Sequence, residues 1–275
     1  MPELDVAGRT DRGRERARNE DQFAIADLYR QVTVRESSMA PAAHRPWAGG
    51  AQGLLLAVAD GIGGHAGGDI ASAAAVDALL QYATWQMPWV TDTARDERLL
   101  MEDLGAALEV CQDRVRRVAR REHLEHQEPG TTLTAAYISW PSMFIVHAGD
   151  TRCYLLRDGK LLQLTTDHTL AAQLVGTSVM SAEAAENSRW SHVLNNAIGG
   201  GPRDVKAEVR RAELRRGDVV LLCSDGLTRH LDEPALARTL SRAATAERAC
   251  GDLIAAANGA GGRDNITAVV IRVPS

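Results

Sequence analysis

The chain reads as an α+β protein in which antiparallel sheets carry helices on their outer faces. Short runs rich in Val, Ile, Leu and Thr sit near both ends and through the middle of the chain. Long Ala- and Leu-rich stretches without Gly or Pro fall between them. Their order is strands, two long helices, a strand meander, then helices and a closing strand, which is no regular βαβ alternation.

The first third reads as strands over residues 4–8, 22–29 and 54–59. Residues 35–52, rich in Ala, Pro and Gly, read as a loop between the last two. Residues 70–87 read as a helix stopped by Pro88. Residues 96–123 form a second, because Leu100, Leu104, Leu108, Cys111, Val115 and Val118 recur at helical spacing. Its arginines Arg114, Arg116, Arg117, Arg120 and Arg121 suit a helix C-terminus and an exposed face. A meander follows over 132–139, 143–147, 153–157 and 161–164. Its last turn, Asp158-Gly159, is a hairpin signal. Short helical pieces at 168–175 and 182–188 come next, then strands at 207–213 and 219–223, helices at 234–240 and 245–258, and a last strand at 265–273.

Composition narrows the function classes. The 275 residues suffice for one large domain or two small ones, and without a repeat or long linker they read as a single domain over 1–275. Hydrophobic residues make up 45% but aromatics only 4%, so Ala, Leu and Val must fill the core. A formal charge of −5 argues against an electrostatic nucleic-acid binder. The basic segment 9–18 has acidic neighbours and reads as a solvated face, Arg16 apart. Cys111, Cys153, Cys223 and Cys250 form no CxxC and no zinc spacing. Cys153 and Cys223 lie in apolar runs and read as free buried thiols. There is no basic-then-apolar leader and no run long enough to span a bilayer. The expectation is a cytoplasmic monomer without membrane or nucleic-acid partners.

Four acidic motifs carry the chemistry: Asn19-Glu20-Asp21, Asp60-Gly61-Ile62-Gly63-Gly64, Ser224-Asp225-Gly226 and Arg263-Asp264-Asn265. Three of them sit directly before or after a strand-like stretch. A carboxylate at a strand end beside a flexible turn is held on one side and open on the other. Several such ends brought together make an oxygen-rich site suited to Mg²⁺ or Mn²⁺.

With Arg16-Ala17-Arg18-Asn19-Glu20-Asp21, Val58 to His65, Gly130-Thr131-Thr132, Gly149-Asp150-Thr151-Arg152, Leu164 to His168, Ser224-Asp225-Gly226-Leu227 and Asp264-Asn265-Ile266-Thr267 in that order, the chain resembles bacterial metal-dependent protein phosphatases of the PPM (type 2C) family. The resemblance covers nearly the whole chain. It implies a four-layer αββα sandwich of two antiparallel sheets flanked by helices. It also implies serine/threonine phosphoprotein phosphatase activity opposing a bacterial kinase, with phosphoserine and phosphothreonine proteins as substrates. Two Mn²⁺ or Mg²⁺ ions would clamp the phosphoryl oxygens and activate the attacking water, without a phosphoenzyme.

Carried over residue by residue, the resemblance has Asp60 bridge the two ions and the Gly61 carbonyl bind one, with Asp225 and Asp264 on the other. Glu20 and Asp21 would hold waters of the metal shell or ligate directly. Asp150 would share a third, weaker ion with Asp225. Arg16 would grip the substrate phosphate as a bidentate fork. Residues 169–190 fall where the family carries a flap. Many eukaryotic members have a His directly after the Asp-Gly pair, but this chain has Ile62, with His65 three residues on. The proton donor is therefore unassigned.

Plainer readings stand beside these. An Asp-Gly pair is more often a turn than a ligand. Asp264-Asn265 reads equally as an Asx turn, and Asp150 as a hairpin closure. Arg14 and Arg18 compete with Arg16 on residue type. Gly63, Gly64, Gly67 and Gly68 lack the Gly-Lys-Ser/Thr of a P-loop and read as a tight strand-to-helix passage. His168 reads equally as structural, and 169–190 equally as an ordinary helical excursion. A non-catalytic module on the same fold, or a phosphatase domain acting on anti-sigma-factor antagonists, are the competing functions.

Overall fold

The structure, a computed structural model, describes residues 2–32, 47–62, 67–85, 97–186, 188–199 and 204–275. Among them, two five-stranded antiparallel sheets lie face to face. The first runs β1 (Asp5–Asp11), β13 (Ile266–Arg272), β12 (Val219–Cys223), β8 (Arg152–Arg157), β9 (Lys160–Gln163). The second runs β11 (Glu208–Glu213), β7 (Ser142–Ala148), β6 (Leu133–Ser139), β3 (Trp47–Ala59), β2 (Gln22–Val32). A small third sheet joins β10 (Ile198–Gly199), β5 (Gly130–Thr131) and β4 (Gly61–Ile62).

Side chains alternate across a strand, and here both faces are apolar. Leu54, Leu56 and Val58 of β3, with Ile138, Met143 and Ile145, meet Leu155, Val220, Leu222, Val269 and Ile271 of the opposite sheet. The intervening residues face outward. Leu55, Ala57, Tyr137, Phe144 and Val146 pack under α1 (Gly68–Trp85) and α2 (Glu97–Arg121). Tyr154, Leu156, Leu221 and Val270 pack under α6 (Glu233–Arg242) and α7 (Ala246–Gly259). The result is helix, sheet, sheet, helix: the expected α+β sandwich. The expected stripe of α2 is the buried one, with Leu100, Leu104, Leu108, Cys111 and Val115 each at most 5% exposed. The low aromatic content is met by alanines: Ala71, Ala74, Ala75 and Ala78 of α1 bring its backbone close to the sheet and to α2, and Tyr82 donates to the Asp103 carbonyl at 2.8 Å.

One expectation needs correction, and two short elements were not anticipated. Residues 47–52 are not loop but the first half of β3, paired with β2 across register shifts at Leu28/Tyr29 and Tyr29/Gln31. Pairing with a long neighbour overrides a weak Ala/Gly strand propensity. The strand expected at 132–139 is β6, and the residues just ahead of it, Gly130–Thr131, form a further short strand paired with Gly61–Ile62. The one-turn helix α5 (Asp225–Thr228) is too short for any periodicity to show. Residues 33–46, 63–66 and 86–96 lie outside the described set, so the expectations for Gly63, Gly64, His65, Pro88 and most of the 35–52 loop fall there.

The segment expected as a flap contains α3 (Leu170–Gly176), capped by Thr169, and α4 (Ala182–Glu186). Its two ends meet: Leu170 N–H donates to Val193 O at 2.8 Å, and Asn195 N–H to His168 O at 3.0 Å. No helix among the described residues is long and apolar enough to cross a membrane.

Leu56 is fully buried between the two sheets. Leu56→Ala is expected to cost about 2–5 kcal/mol of stability, read as a lower urea midpoint at unchanged slope.

Candidate active site

The ends of strands from both sheets converge on one cavity of about 170 Å³. Its wall includes Arg16, Glu20, Asp60, Gly61, Ile62, Thr132, Asp150, His192, Leu194, Asp225, Arg229 and Asp264. Asp60 follows β3, Asp225 opens α5 just after β12, Asp264 stands two residues before β13, and Asp150 lies in the turn from β7 to β8. Seven of the eight residues singled out in the sequence therefore share this wall. The eighth, Asp21, lies beneath it and is 2% exposed. Of the three competing arginines, Arg16 is the one on the wall.

Each acidic group is held by its neighbours. The Asp60 backbone is fixed by the Gly-Thr-Thr motif: Asp60 N–H donates to Thr132 Oγ1 at 3.0 Å, and its carbonyl accepts from Thr132 N–H and Thr131 Oγ1, each at 2.9 Å. Only Gly fits at 61, because a Cβ there would run into the carbonyls of Gly68 and Glu20. Gly149 adopts φ 117°, which turns the chain so that Asp150 enters the cavity. Asp21 Oδ2 accepts from Ser224 Oγ at 2.7 Å and Thr267 Oγ1 at 2.6 Å.

Asn265, quoted in the sequence only as part of a motif, is a clamp. Its Oδ1 accepts from Glu20 N–H, and its Nδ2 donates to the carbonyls of Arg12 and Arg18, all at 2.8 Å. It thereby fixes the loop that carries Arg16. Asp264 Oδ1 also accepts from the adjacent Asn265 N–H at 2.9 Å, one residue short of the reach of an Asx turn. Arg16 does not stand free: Nε and NH2 each lie 2.8 Å from an Asp264 oxygen.

Three wall residues were not anticipated, the apolar Leu194 and two that carry charge or can do so. Arg229 lies four residues from Asp225, so one helical turn brings it back over that carboxylate. It pairs with Asp225 Oδ2 and, at 2.9 Å, with Asp264 Oδ2. The spacing was readable, but its use in an ion pair was not. His192 enters from beyond the flap-like segment and carries no local motif; burial and Arg229 lower its pKa.

His147, His168 and Glu208 form a second cluster, with ligand atoms within 4.8 Å of one another. Its nitrogens are already engaged. His147 Nε2 faces the Thr166 carbonyl at 3.0 Å and Nδ1 the Thr134 hydroxyl at 2.8 Å. His168 Nδ1 accepts from Gly149 N–H and Asn196 Nδ2, which leaves Nε2 to donate to Glu208. His168 thus fills the structural role.

Burial raises the pKa of Asp60 well above the ordinary carboxylate range, and Asp21, Asp225, Asp150 and Asp264 raise it further. Burial and Asp225 push Asp150 up to about 8. Burial pushes Asp21 up to about 7 despite its two hydroxyl donors. Asp225 is raised by burial, with Arg229 opposing. Asp21 Oδ1 and Asp225 Oδ1 are buried without a hydrogen-bond partner. Buried, mutually repelling carboxylates with orphaned oxygens and no sulfur or imidazole donor among the expected ligands fit hard divalent cations.

A sandwich of paired sheets with acidic strand ends gathered at one rim defines the class, and sequence comparison agrees. A model of the family Protein phosphatase 2C matches residues 42–258. The chain is 33% identical over 270 residues to the serine/threonine protein phosphatase PstP of Mycobacterium tuberculosis, covering 98% of this chain and 45% of that protein. It therefore spans about half the length of that relative. It is 31% identical over 266 residues to the serine/threonine phosphatase stp of Listeria monocytogenes, covering 96% and 93%. The crystal structure of the catalytic domain of PstP in complex with two manganese ions matches with a TM-score of 0.75 at 32% identity, over 99% of both chains. The chain belongs to the protein phosphatase 2C family.

The raised carboxyls give a signed pH dependence. The unfolded chain ionises first as pH rises, so the metal-free fold is most favoured below the unfolded value and loses stability as pH climbs through the folded ones. In excess EDTA the melting temperature is expected to fall between about pH 4 and pH 8. A melting temperature that rises through this window would show that the cluster is not the dominant charge effect.

Proposed function

We propose that this chain is a metal-dependent serine/threonine phosphoprotein phosphatase that hydrolyses phosphate monoesters on proteins and reverses a bacterial Ser/Thr kinase. The observation that carries the reading is the single cavity joining Asp60, Gly61, Asp150, Asp225 and Asp264 to Arg16. A non-catalytic module would have no use for mutually repelling buried carboxylates, so that alternative is not favoured. The bacterial relatives support the substrate class, and four free buried cysteines suit a reducing cytoplasm. The working form proposed is a monomer.

The residues that would hold two core Mn²⁺ or Mg²⁺ ions are Asp60, the Gly61 carbonyl, Asp225 and Asp264, backed by Glu20 and Asp21. Asp150 and Asp225 would hold a weaker third. When bound, such ions neutralise phosphoryl oxygens and make a water more acidic. Arg16 would leave Asp264 to take two phosphoryl oxygens in its fork; its side chain is 46% exposed at the cavity mouth, so the exchange needs no repacking. Thr131, Thr132, Ser224 and Thr267 hold Asp60 and Asp21 in place while charge develops. The departing serine or threonine oxygen needs a proton, and Ile62 has none to give.

Turnover of a phosphothreonine peptide is expected to vanish in EDTA and return with Mn²⁺. Asp60→Asn should lose on the order of 10³-fold in kcat with its circular dichroism intact, several kcal/mol of transition-state stabilisation. Full activity after chelation and dialysis would end the reading.

Arg16→Ala is expected to raise KM by roughly tenfold or more with a smaller change in kcat, because it contacts a phosphate already present in the ground state. The same change at Arg14 or Arg18 should do much less. Equal effects from all three would mark a diffuse basic patch.

A further inference from the structure

We propose that Arg229 is a built-in competitor of the divalent cations: it occupies carboxylate oxygens of Asp225 and Asp264 in the metal-free protein and must yield them when the ions enter. This rests on the metal-dependent reading above.

The argument starts from α5. That helix is a single turn, closed by Arg229 N–H donating to Asp225 O at 2.8 Å. The side chain at 229 is thereby returned over Asp225. Its guanidinium reaches two carboxylates at once, Asp225 Oδ2 through one nitrogen and Asp264 Oδ2 through NH1 at 2.9 Å. Asp264 Oδ2 also takes a hydrogen bond from Arg16 NH2 at 2.8 Å. Lone pairs aimed at guanidinium N–H groups are not available to an ion. A fixed positive charge at that distance from a divalent cation is also repelled.

Two further features point the same way. Asp225 keeps one buried oxygen, Oδ1, without a partner, so Arg229 satisfies only half of that carboxylate. The Arg229 side chain is 33% exposed, against 12% and 13% for the two carboxylates. The arginine can therefore swing to solvent while the acids stay. A merely structural ion pair between partly exposed groups would leave metal affinity unchanged, and that is the difference the experiment reads.

The test is calorimetric titration of chelator-stripped protein with MnCl₂. The proteins are wild type, Arg229→Gln, Arg229→Lys and Arg263→Gln, the last removing an equal charge beside Asp264 in sequence. Arg229→Gln is expected to bind Mn²⁺ on the order of tenfold more tightly and to melt at a lower temperature than wild type in EDTA. Arg229→Lys keeps the charge but lacks the fork that spans both acids, and should also bind more tightly than wild type. Arg263→Gln should stay near wild type. Unchanged or weaker Mn²⁺ binding in Arg229→Gln overturns the proposal. If that variant does not fold without metal, unchanged binding in Arg229→Lys overturns it. Binding by wild type that is unchanged in the variants sinks this inference alone, whereas no Mn²⁺ binding by wild type sinks the metal-dependent reading as well.

Discussion

Mutual repulsion among a handful of buried carboxylates is the constraint around which the rest of this molecule is arranged. Asp21, Asp60, Asp150 and Asp225 all have raised pKa values, burial first and neighbouring acids next. Left to themselves such groups would separate or protonate. They stay together because each is rooted in a different strand end or turn, and those roots belong to two sheets locked by an apolar interior. Asp60 comes from the second sheet, and Asp225 and Asp264 flank strands of the first. The stability of the sandwich thus maintains a charge arrangement that opposes folding.

The groups just outside the acids divide the labour. Hydroxyls and amides fix positions: Thr131 and Thr132 hold the Asp60 backbone, Ser224 and Thr267 hold Asp21, and Asn265 fixes the 12–20 loop. Arginines supply counter-charge: Arg16 from the loop and Arg229 from α5, both on Asp264. The first group is uncharged and can remain unchanged when cations arrive. The second has to move. Position and charge are therefore controlled by different residues.

Most of the fold and most of the site could be read from the sequence, for identifiable reasons. The α+β class follows from strand-like runs set apart from long helical stretches, and α2 from a stripe at helical spacing, whereas the four-layer sandwich came through the family resemblance. The acidic motifs were visible because turn residues and strand residues adjoin them. What could not be read depends on pairing between distant segments. Nothing local in Trp47 to Gln52 announces a strand; only β2 makes it one. The short strand Gly130–Thr131 exists only through its pairing with Gly61–Ile62, far earlier in the chain. His192 and the Arg229 ion pairs depend on where whole elements come to rest. Arg16 was picked out by its motif, but its partner Asp264 lies 248 residues away, beyond the reach of any pattern along the chain.

The strand β13 pairs with β1 on one side and β12 on the other, and the residues just before it, Asp264 and Asn265, complete the acidic wall and clamp the loop of Arg16. During synthesis these residues leave the ribosome after every other residue of that wall. Until they do, the first strand has no partner in its sheet, the arginine loop has no anchor, and the acidic wall lacks Asp264. A nascent chain can assemble the β3–β6–β7 half of the sandwich with its helices early, from contacts closer in sequence. A nascent chain that stops short of Asp264 therefore has an incomplete wall and an unanchored arginine loop, whatever else of the sandwich it has built.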